Sequence, residues 1–390
     1  MSEDSQLTTE EQNPINEEEQ SVAEKEKKPK RKDSHLTKVK KSFVDFFEKN
    51  KGCKVAIFTH PSPDPDALGS MMAMSWLLKK VYEVDVDCFY DGHISHPQNQ
   101  RMCNLLDPEL ILVENCDPTQ YAYKILVDTI PCHAAFPENV KPVDIDLVID
   151  HHKDQPNGGF KGLYLNLKAG SCCATVHQLI REHGVSFEDD NERDSKVATA
   201  MMVGIITDTE YQTSDDTTLY EHEAYKELFD YRKPEALKQI TRYKHPKEWI
   251  QARAGVAMKA QDRIKDGILI HGIGFVTANN RDLIAAVADD VLTWEGVETC
   301  VVFAIIDGER IEGSVRSHDA ALAVPALCKE LGGQFEGGAG GGKLGKGSFR
   351  YDLGNFELKS TDGDELKNKL WEYVEYKEFQ RILKIIRGEK

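Results

Sequence analysis

The sequence predicts an α/β protein: a mostly parallel sheet with helices on both faces forms an N-terminal domain, and a smaller mixed α/β domain follows it. Two observations support this fold class. Short apolar runs such as KVAIF, YKILV and IDLVI alternate with segments of helical periodicity, which is typical of a parallel sheet covered on both faces. The chain also has 390 residues, 40% of them hydrophobic, enough for more than one domain.

The predicted elements of the N-terminal domain follow one another as strand, loop and helix. Residues 39–50 have the spacing of an amphipathic helix, and the buried strand KVAIF comes after them. A proline-rich loop separates that strand from a helix over residues 68–80. The alternation continues with strands at 84–92, 123–129 and 145–152 and with helices at 96–106, 171–184 and 195–206.

Composition and pattern divide the chain into five segments. Residues 1–38 are nearly devoid of aliphatic side chains and are predicted to be a disordered charged tail. The first domain is expected over 39–235, a linker over 236–254, the second domain over 255–372 and a C-terminal helix over 373–390. In the second domain we expect strands at 267–279, 298–308 and 310–318 and helices at 281–294 and 321–331.

Charge and cysteine content exclude several classes of protein. The formal net charge of −17 argues against a duplex-DNA binder, which would carry a basic face. The nine cysteines form no Cys-x-x-Cys pair, so we expect free thiols and a reducing compartment. No apolar stretch approaches the roughly 20 residues of a membrane span. A cytoplasmic protein without a membrane partner is therefore expected.

Candidate metal ligands follow several of the predicted strands. His60, Asp64 and Asp66 lie in HPSPDPDALGS after the first strand, and Asp128 follows YKILV. Two further groups extend this pattern: Asp150, His151 and His152 after IDLVI, and Asp208 after the apolar segment GIIT. A single aspartate at such a place is an ordinary turn or cap residue. Four termini at one edge of one sheet instead indicate a ligand site.

Carboxylates and imidazoles suit a pair of divalent cations that assist phosphoester hydrolysis. Residues i and i+2 of an extended segment project to the same side, so Asp64 and Asp66 can each serve a different cation. Pro63 and Pro65 bias the residues before them towards extended geometry. The prolines are interpreted as bracing of the ligands, with a simple surface turn as the alternative.

The successive motifs resemble those of a known superfamily. THPSPDPDALGS, Asp128 in VDT, DHH at 150–152 and Asp208 in TDT are similar, in that order, to the motifs of the DHH phosphoesterases, over about residues 53–215. GSVRS at 313–317 and the glycine-rich stretch 332–347 resemble the DHH-associated substrate-binding domain of the nanoRNase (oligoribonuclease) and pAp-phosphatase branch. The segment HPQNQRMCNLLD resembles the same branch, with helix capping as the alternative to ligand contact.

The resemblance implies a role for each candidate residue. His60 and Asp64 would hold one manganese ion, Asp66, His151 and Asp208 the other, and Asp128 would bridge them. Asp150 would orient a ligand imidazole, and His152 would lie near the substrate phosphate or leaving group. A hydroxide held between two cations would attack phosphorus in line. The cofactors are expected to be two Mn²⁺ ions, with Mg²⁺ or Co²⁺ as alternatives.

Substrate-binding residues are expected in the second domain. Arg316 would bind a phosphate bidentately, and Ser317 would be a companion donor. In the stretch GGQFEGGAGGGKLGKGSF we single out Gly338, Gly340, Gly341 and Lys343, whose backbone amides and charge suit a phosphate, with a flexible loop as the alternative. The stretch argues against a P-loop, since Leu344 or Gly347 stands where Ser or Thr is required.

Two departures from the family pattern bear on the substrate. Pro65 stands where the family has glycine, and no histidine follows the glycines, with Gln334 or Phe335 near its place. The resulting hypothesis is a manganese-dependent phosphoesterase for very short single-stranded oligonucleotides, and also for pAp. A cyclic or linear dinucleotide phosphodiesterase, a catalytically weak nucleotide sensor and an inorganic pyrophosphatase remain alternatives, and a homodimer is left open.

Overall fold

The computed structural model describes residues 34–157, 159–358 and 363–388. Most of the predicted tail lies outside these ranges. Helix α1, however, begins at Ser34, inside the predicted tail, because Leu36 and Val39 already pack into the core. Within the described ranges, no helix is long and apolar enough to cross a membrane.

The N-terminal domain is built on a six-stranded parallel sheet with the order β3-β2-β1-β4-β5-β6. Its strands are β1 (Lys54–Phe58), β2 (Asp85–Tyr90), β3 (Leu110–Leu112), β4 (Tyr123–Val127), β5 (Leu147–Ile149) and β6 (Leu163–Leu165). Its helices are α1 (Ser34–Phe47), α2 (Pro65–Tyr82), α3 (Pro97–Leu106), α4 (Cys172–His183), α5 (Glu192–Asp208), α6 (Leu219–Leu228) and α7 (Pro234–Thr241). The predicted α/β class and parallel sheet are confirmed.

The two faces of this sheet are covered differently. One face, with Val55, Ile57 and Ile125, packs against the α-helices of the domain. The other, with Phe58, Phe89 and Val148, packs against loops and short 3₁₀ helices at Val113–Asn115, Pro118–Gln120 and Pro142–Asp144. Helices were expected on both faces, and on this second face the only helices among the described residues are short 3₁₀ helices. The strand order reverses between β1 and β4, so right-handed crossovers place the later connections on the second face. The described residues of these connections form no α-helix.

The C-terminal domain contains a mixed six-stranded sheet with the order β11-β12-β10-β9-β8-β7, in which β8 and β9 are parallel and the other pairs antiparallel. The strands are β7 (Ile264–Lys265), β8 (Ile268–Val276), β9 (Thr299–Ile306), β10 (Arg310–Ser317), β11 (Ala339–Lys343) and β12 (Lys346–Asp352). The helices are α8 (Lys247–Arg263), α9 (Asp282–Val291), α10 (Val324–Gly333) and α11 (Asp364–Arg387). Both faces of β9 are covered, and all of its residues are buried.

The predicted boundaries between the segments differ from the observed ones. Most of the expected linker 236–254 is helical: α7 packs on the N-terminal core through Ile240, and α8 packs on the C-terminal core through Trp249. The connection between the helices is therefore only residues 242–246. The C-terminal helix also begins earlier than expected, at Asp364. Contacts with distant parts of the chain stabilise these segments, and no local pattern reports such contacts.

Candidate metal centre

The candidate ligands gather at the carboxyl edge of the parallel sheet, where the strand order reverses between β1 and β4. His60 follows β1, Asp128 follows β4, and Asp150 and His151 follow β5. Asp208 reaches the same edge as the last residue of helix α5, which includes the helix predicted over 195–206. The reversal leaves a crevice between β1 and β4, and the side chains enter it from both sides.

The first group of ligand atoms comes from His60, Asp64 and Asp128, and these atoms lie within 4.8 Å of one another. His60 Nε2 lies 4.0 Å from Asp64 Oδ1 and 3.6 Å from Asp128 Oδ2. One imidazole and two carboxylates suit a divalent cation such as Mn²⁺.

The second group comes from Asp66, His151 and Asp208, again within 4.8 Å. His151 Nε2 lies 3.9 Å from Asp66 Oδ2 and 3.2 Å from Asp208 Oδ2. The two groups contain the same residues that the family resemblance assigned to two separate ions.

Asp128 lies between the two groups. Its Oδ2 faces His60, and its Oδ1 lies 3.4 Å from His151 Nε2. The carboxylate is buried, and Oδ1 has no hydrogen-bond partner among the described residues; the same is true of Oδ2 of Asp208. A buried carboxylate oxygen without a donor is unfavourable unless a cation is bound, so these residues fit a pair of metal ions.

The start of helix α2 positions Asp64 and Asp66. Asp64 is the N-cap, with Oδ1 accepting from the backbone N–H groups of Asp66 and Ala67 at 2.9 and 3.0 Å, and Pro65 is the first helical residue. Asp64 is extended, as Pro65 favours, but Asp66 already lies in the helix, so the pair spans a helix start and not one extended segment. Ser62 also has a left-handed φ of 54°, so Pro63 does not hold it in extended geometry.

Asp66 is fixed from the other side by the N-terminus of α4. Its two carboxylate oxygens accept from the backbone N–H groups of Cys172 and Cys173 at 2.6 and 2.9 Å. Its side chain is only 1% exposed. The first turn of α4 thus orients a candidate ligand, which explains the position of the adjacent cysteines beside the site.

Burial and mutual charge shift the pKa values of these groups. Burial raises the pKa of Asp66, and the neighbouring Asp128 adds to this shift. Burial alone would lower the pKa of His60 and of His151, but nearby carboxylates, chiefly Asp128, outweigh it and raise both to about 10. Burial opposes ionisation of Asp128, yet His151 and His60 lower its pKa below the ordinary value. Protons therefore occupy both ligand histidines of the metal-free centre at neutral pH.

Asp150 has a different partner from the one expected. Its Oδ1 lies 2.7 Å from Nδ1 of His152, so it orients His152 and not the ligand histidine His151. Burial lowers the pKa of the half-exposed His152, but Asp150 outweighs this effect and raises it. His152 is thus a positioned imidazole that faces the cleft and retains a proton more readily than a free histidine.

The metal groups line a cleft of about 330 Å³. Its wall also contains Thr129, Ile130, His133 and Asp154, in the loops after β4 and β5. His133 is exposed and was missed in the sequence, where it lies in IPCHAAF without a recognisable motif. His96 caps α3 by accepting from Gln98 N–H at 3.2 Å, so the capping alternative for HPQNQ is the observed one.

Arg316 and Ser317 are not among the residues that line this cleft. Arg316 donates from Nε to Asp289 Oδ1 at 2.5 Å and from an Nη to Ser314 Oγ at 2.7 Å. The guanidinium, which was predicted to bind a substrate phosphate through two hydrogen bonds, is paired in this structure with the carboxylate of Asp289 on α9. Ser317 Oγ lies 2.7 Å from Thr299 Oγ1, which occupies its hydroxyl. Substrate binding by both residues stays a prediction.

The glycine-rich stretch is a β-hairpin formed by β11 and β12, and not a flexible loop. A Cβ at Gly338 would lie 2.1 Å from the carbonyl oxygen of Gly332, and one at Gly340 only 1.8 Å from that of Cys328. These two glycines allow β11 to pack against α10. Close packing therefore explains their presence, and phosphate binding is not needed to explain it. A Cβ at Gly341 meets nothing within 4 Å.

Lys343 lies at the end of β11, and its charge lowers the pKa of Asp208, which burial raises more strongly. The charge of Lys343 therefore lies close enough to act on Asp208. Lys346, opposite Lys343 in the hairpin, contacts Glu210 just after Asp208. The hairpin thus bridges the two domains beside the candidate site.

Comparison with known families finds a match within the first domain. Residues 54–205 match the model of the DHH family, N-terminal domain. This part of the chain is similar to a DHH domain. The match begins at β1 and ends within α5, so it includes all the candidate ligands except Asp208.

Two curated relatives and one solved structure extend the comparison. The uncharacterized protein MJ1633 of Methanocaldococcus jannaschii is 29% identical over 337 residues, which are 86% of this chain and 67% of that protein. A probable manganese-dependent inorganic pyrophosphatase of Streptococcus equi subsp. zooepidemicus is 25% identical over 185 residues, 45% of this chain and about half (54%) of the relative.

The solved structure is an exopolyphosphatase-related protein from Bacteroides fragilis. It superposes with a TM-score of 0.61 at 14% sequence identity, and the superposition covers 89% of this chain and 97% of the Bacteroides fragilis chain. At this identity the likeness establishes the fold of both domains and not the activity.

Proposed function

We propose that the protein is a metal-dependent phosphoesterase whose DHH domain holds two divalent cations. The observation that carries the proposal is Asp128, whose two carboxylate oxygens face His60 and His151 at 3.6 and 3.4 Å. A carboxylate placed in this way suits a pair of cations. The pyrophosphatase relative is described as manganese-dependent, which favours Mn²⁺.

Bound at these ligands, two cations would supply the Lewis acidity and the activated water that hydrolysis of a phosphoester requires. The chain itself supplies the surrounding groups. His152, oriented by Asp150 at 2.7 Å, presents an imidazole to the cleft. Because its pKa is raised, His152 can donate a hydrogen bond to a phosphate oxygen or a proton to the leaving oxygen.

The substrate class we propose is a small phosphoester, in particular a very short oligonucleotide or pAp. The cleft of about 330 Å³ is suited to one phosphate with its immediate substituents and not to a duplex. The net charge of −17 also disfavours duplex DNA. Lys343 at the hairpin tip adds positive charge opposite the metal groups.

Inorganic pyrophosphate is the second candidate substrate, because the named enzyme among the curated relatives is a pyrophosphatase. Competition between dinucleotides, pAp, cyclic dinucleotides and pyrophosphate in one Mn²⁺ preparation distinguishes the two, since the ratios of kcat/KM measure the discrimination.

The activity itself is tested with Asp66→Ala and Asp208→Asn. Asp66 also accepts two backbone hydrogen bonds, so loss of activity in Asp66→Ala can arise from local misfolding. Oδ2 of Asp208 has no such partner among the described residues, which makes Asp208→Asn the cleaner variant. Asp154→Asn, in the cleft wall but outside the two ligand groups, is the control. Hydrolysis by Asp208→Asn at the wild-type rate would contradict the two-metal proposal.

A further inference from the structure

Three successive residues beyond Asp208 adopt an unusual backbone conformation. Glu210, Tyr211 and Gln212 have left-handed φ angles of 50, 61 and 65°, although none of them is glycine. Non-glycine residues rarely adopt this region, and a run of three requires the surroundings to hold it. Tyr211 N–H donates to Ile206 O at 2.6 Å, and Gln212 N–H donates to the Thr209 hydroxyl at 3.1 Å. The turn is therefore fixed relative to the end of α5, which carries the candidate ligand.

This fixed turn presents an aromatic ring to solvent beside the candidate centre. Tyr211 is 63% exposed, and it lies only three residues beyond Asp208. Its neighbour Glu210 contacts Lys346 of the C-terminal domain. Tyr211 thus lies where the two domains meet over the site.

Further aromatic rings lie at the same boundary. The ring of Tyr243, in the connection between the domains, lies 5.2 Å from that of His96 and 5.0 Å from that of His245. The His96 ring also lies 5.3 Å from Trp249 of α8.

The same cluster is connected to the metal-binding loop. Helix α3, which His96 caps, also carries Asn99, whose side-chain amide donates to Pro63 O at 3.2 Å. Pro63 directly precedes Asp64. Helix α3 thereby connects the rings of His96 and Tyr243 to the loop that carries Asp64.

We propose that Tyr211 is a stacking subsite for a nucleobase of the substrate. The inference rests on the proposed phosphoesterase activity and narrows its substrate class to phosphoesters that carry a base. Aromatic side chains bind bases of any sequence through their faces, and a rigidly held ring loses little freedom on binding. A substrate without a base, such as pyrophosphate, gains nothing from this subsite.

The first test compares Tyr211→Ala, Tyr211→Phe and wild type on a 5′-phosphorylated dinucleotide and on its abasic analogue. Tyr211→Ala should raise KM for the dinucleotide roughly tenfold to a hundredfold, with kcat less affected, and Tyr211→Phe should restore it. The KM of the abasic analogue should not change. Tyr376→Ala is the matched control, because Tyr376 is 65% exposed on α11. Equal effects of Tyr211→Ala on both substrates would overturn the proposal.

A second measurement does not require turnover. A dinucleotide containing 2-aminopurine is titrated with protein in Mg²⁺, and stacking should quench its fluorescence with the wild type but much less with Tyr211→Ala. If the wild type quenches the base yet hydrolyses no phosphoester, the proposed activity fails and the subsite stands. Absence of quenching, or equal quenching by Tyr211→Ala, contradicts the subsite.

Discussion

Asp128 is the residue on which the candidate centre most depends. It leaves β4 with a left-handed φ of 56°, which directs its buried carboxylate between His60 and His151. A non-glycine residue in this conformation costs on the order of 1 kcal/mol, and the surrounding structure must offset it. A strained backbone at a point where two imidazoles converge is typical of a functional site.

Metal stoichiometry should distinguish the bridging carboxylate from a terminal one. Asp208→Asn alters only the group with Asp66 and His151, so we expect this variant to retain about one of two Mn²⁺ ions. Asp128→Asn alters both groups and should weaken both ions. Elemental analysis after equilibrium dialysis measures the stoichiometry, with Asp154→Asn as the control. Full loading of Asp128→Asn at wild-type affinity would show that Asp128 is not a bridge.

Metal binding should release protons. In the metal-free protein the pKa values of His60 and His151 are raised to about 10, so both imidazoles are protonated at pH 8. A metal ion requires the neutral imidazole, and binding should therefore release up to roughly two protons and become tighter as the pH rises towards 10. Calorimetry in two buffers with different ionisation enthalpies measures the release. Identical apparent enthalpies in both buffers would contradict the expectation.

At the scale of elements, the β11–β12 hairpin depends on glycines for packing. Gly340 lies against the carbonyl of Cys328 in α10, whereas Gly341, the next residue in β11, faces open space. Two adjacent glycines of β11 therefore have different surroundings: Gly340 is required for close packing, whereas Gly341 is not.

Gly340→Ala and Gly341→Ala form a matched pair. The new Cβ in Gly340→Ala would lie 1.8 Å from a backbone oxygen, and we expect the free energy of unfolding to fall by about 1–3 kcal/mol. Gly341→Ala should leave stability nearly unchanged, and a rise in KM in this variant would support the predicted contact of Gly341 with substrate. Urea denaturation and steady-state kinetics measure the two effects. Equal stability of the two variants would refute the packing role of Gly340.

At the scale of the whole molecule, the two domains meet over the cleft. Lys346 of the hairpin contacts Glu210, and Ser95 before α3 donates to Asp282 at the start of α9. Both contacts join the N-terminal domain to the C-terminal domain.

Reversing the charges across this boundary tests the contact. Lys346→Glu should lower kcat/KM by about twofold to fivefold, because exposed ion pairs contribute at most about 1 kcal/mol. The double variant Glu210→Lys with Lys346→Glu should recover part of the loss. The same reversal at the pair Lys369 and Glu365, both on α11, should have no effect on kinetics. Additive effects of the two boundary substitutions would indicate that the residues do not interact functionally.

The sequence by itself determined the alternation of strands and helices and the set of candidate ligands. Strand periodicity is a local property, and parallel strands bring their carboxyl ends to one edge, so His60, Asp128 and His151 could be expected to meet. The family resemblance implied which residues would share an ion, and two of the observed groups contain those residues.

Only the tertiary structure decided the partners of buried groups. Asp150 hydrogen-bonds to His152, Asp289 accepts from Arg316, and Gly340 packs on α10. The spacing of residues in the sequence does not encode the geometry of these contacts. His133 and Tyr211 escaped notice because no motif marks them, and they gain importance only from their position at the cleft and at the domain boundary. Local patterns specify what a segment forms, whereas long-range packing decides what each side chain meets.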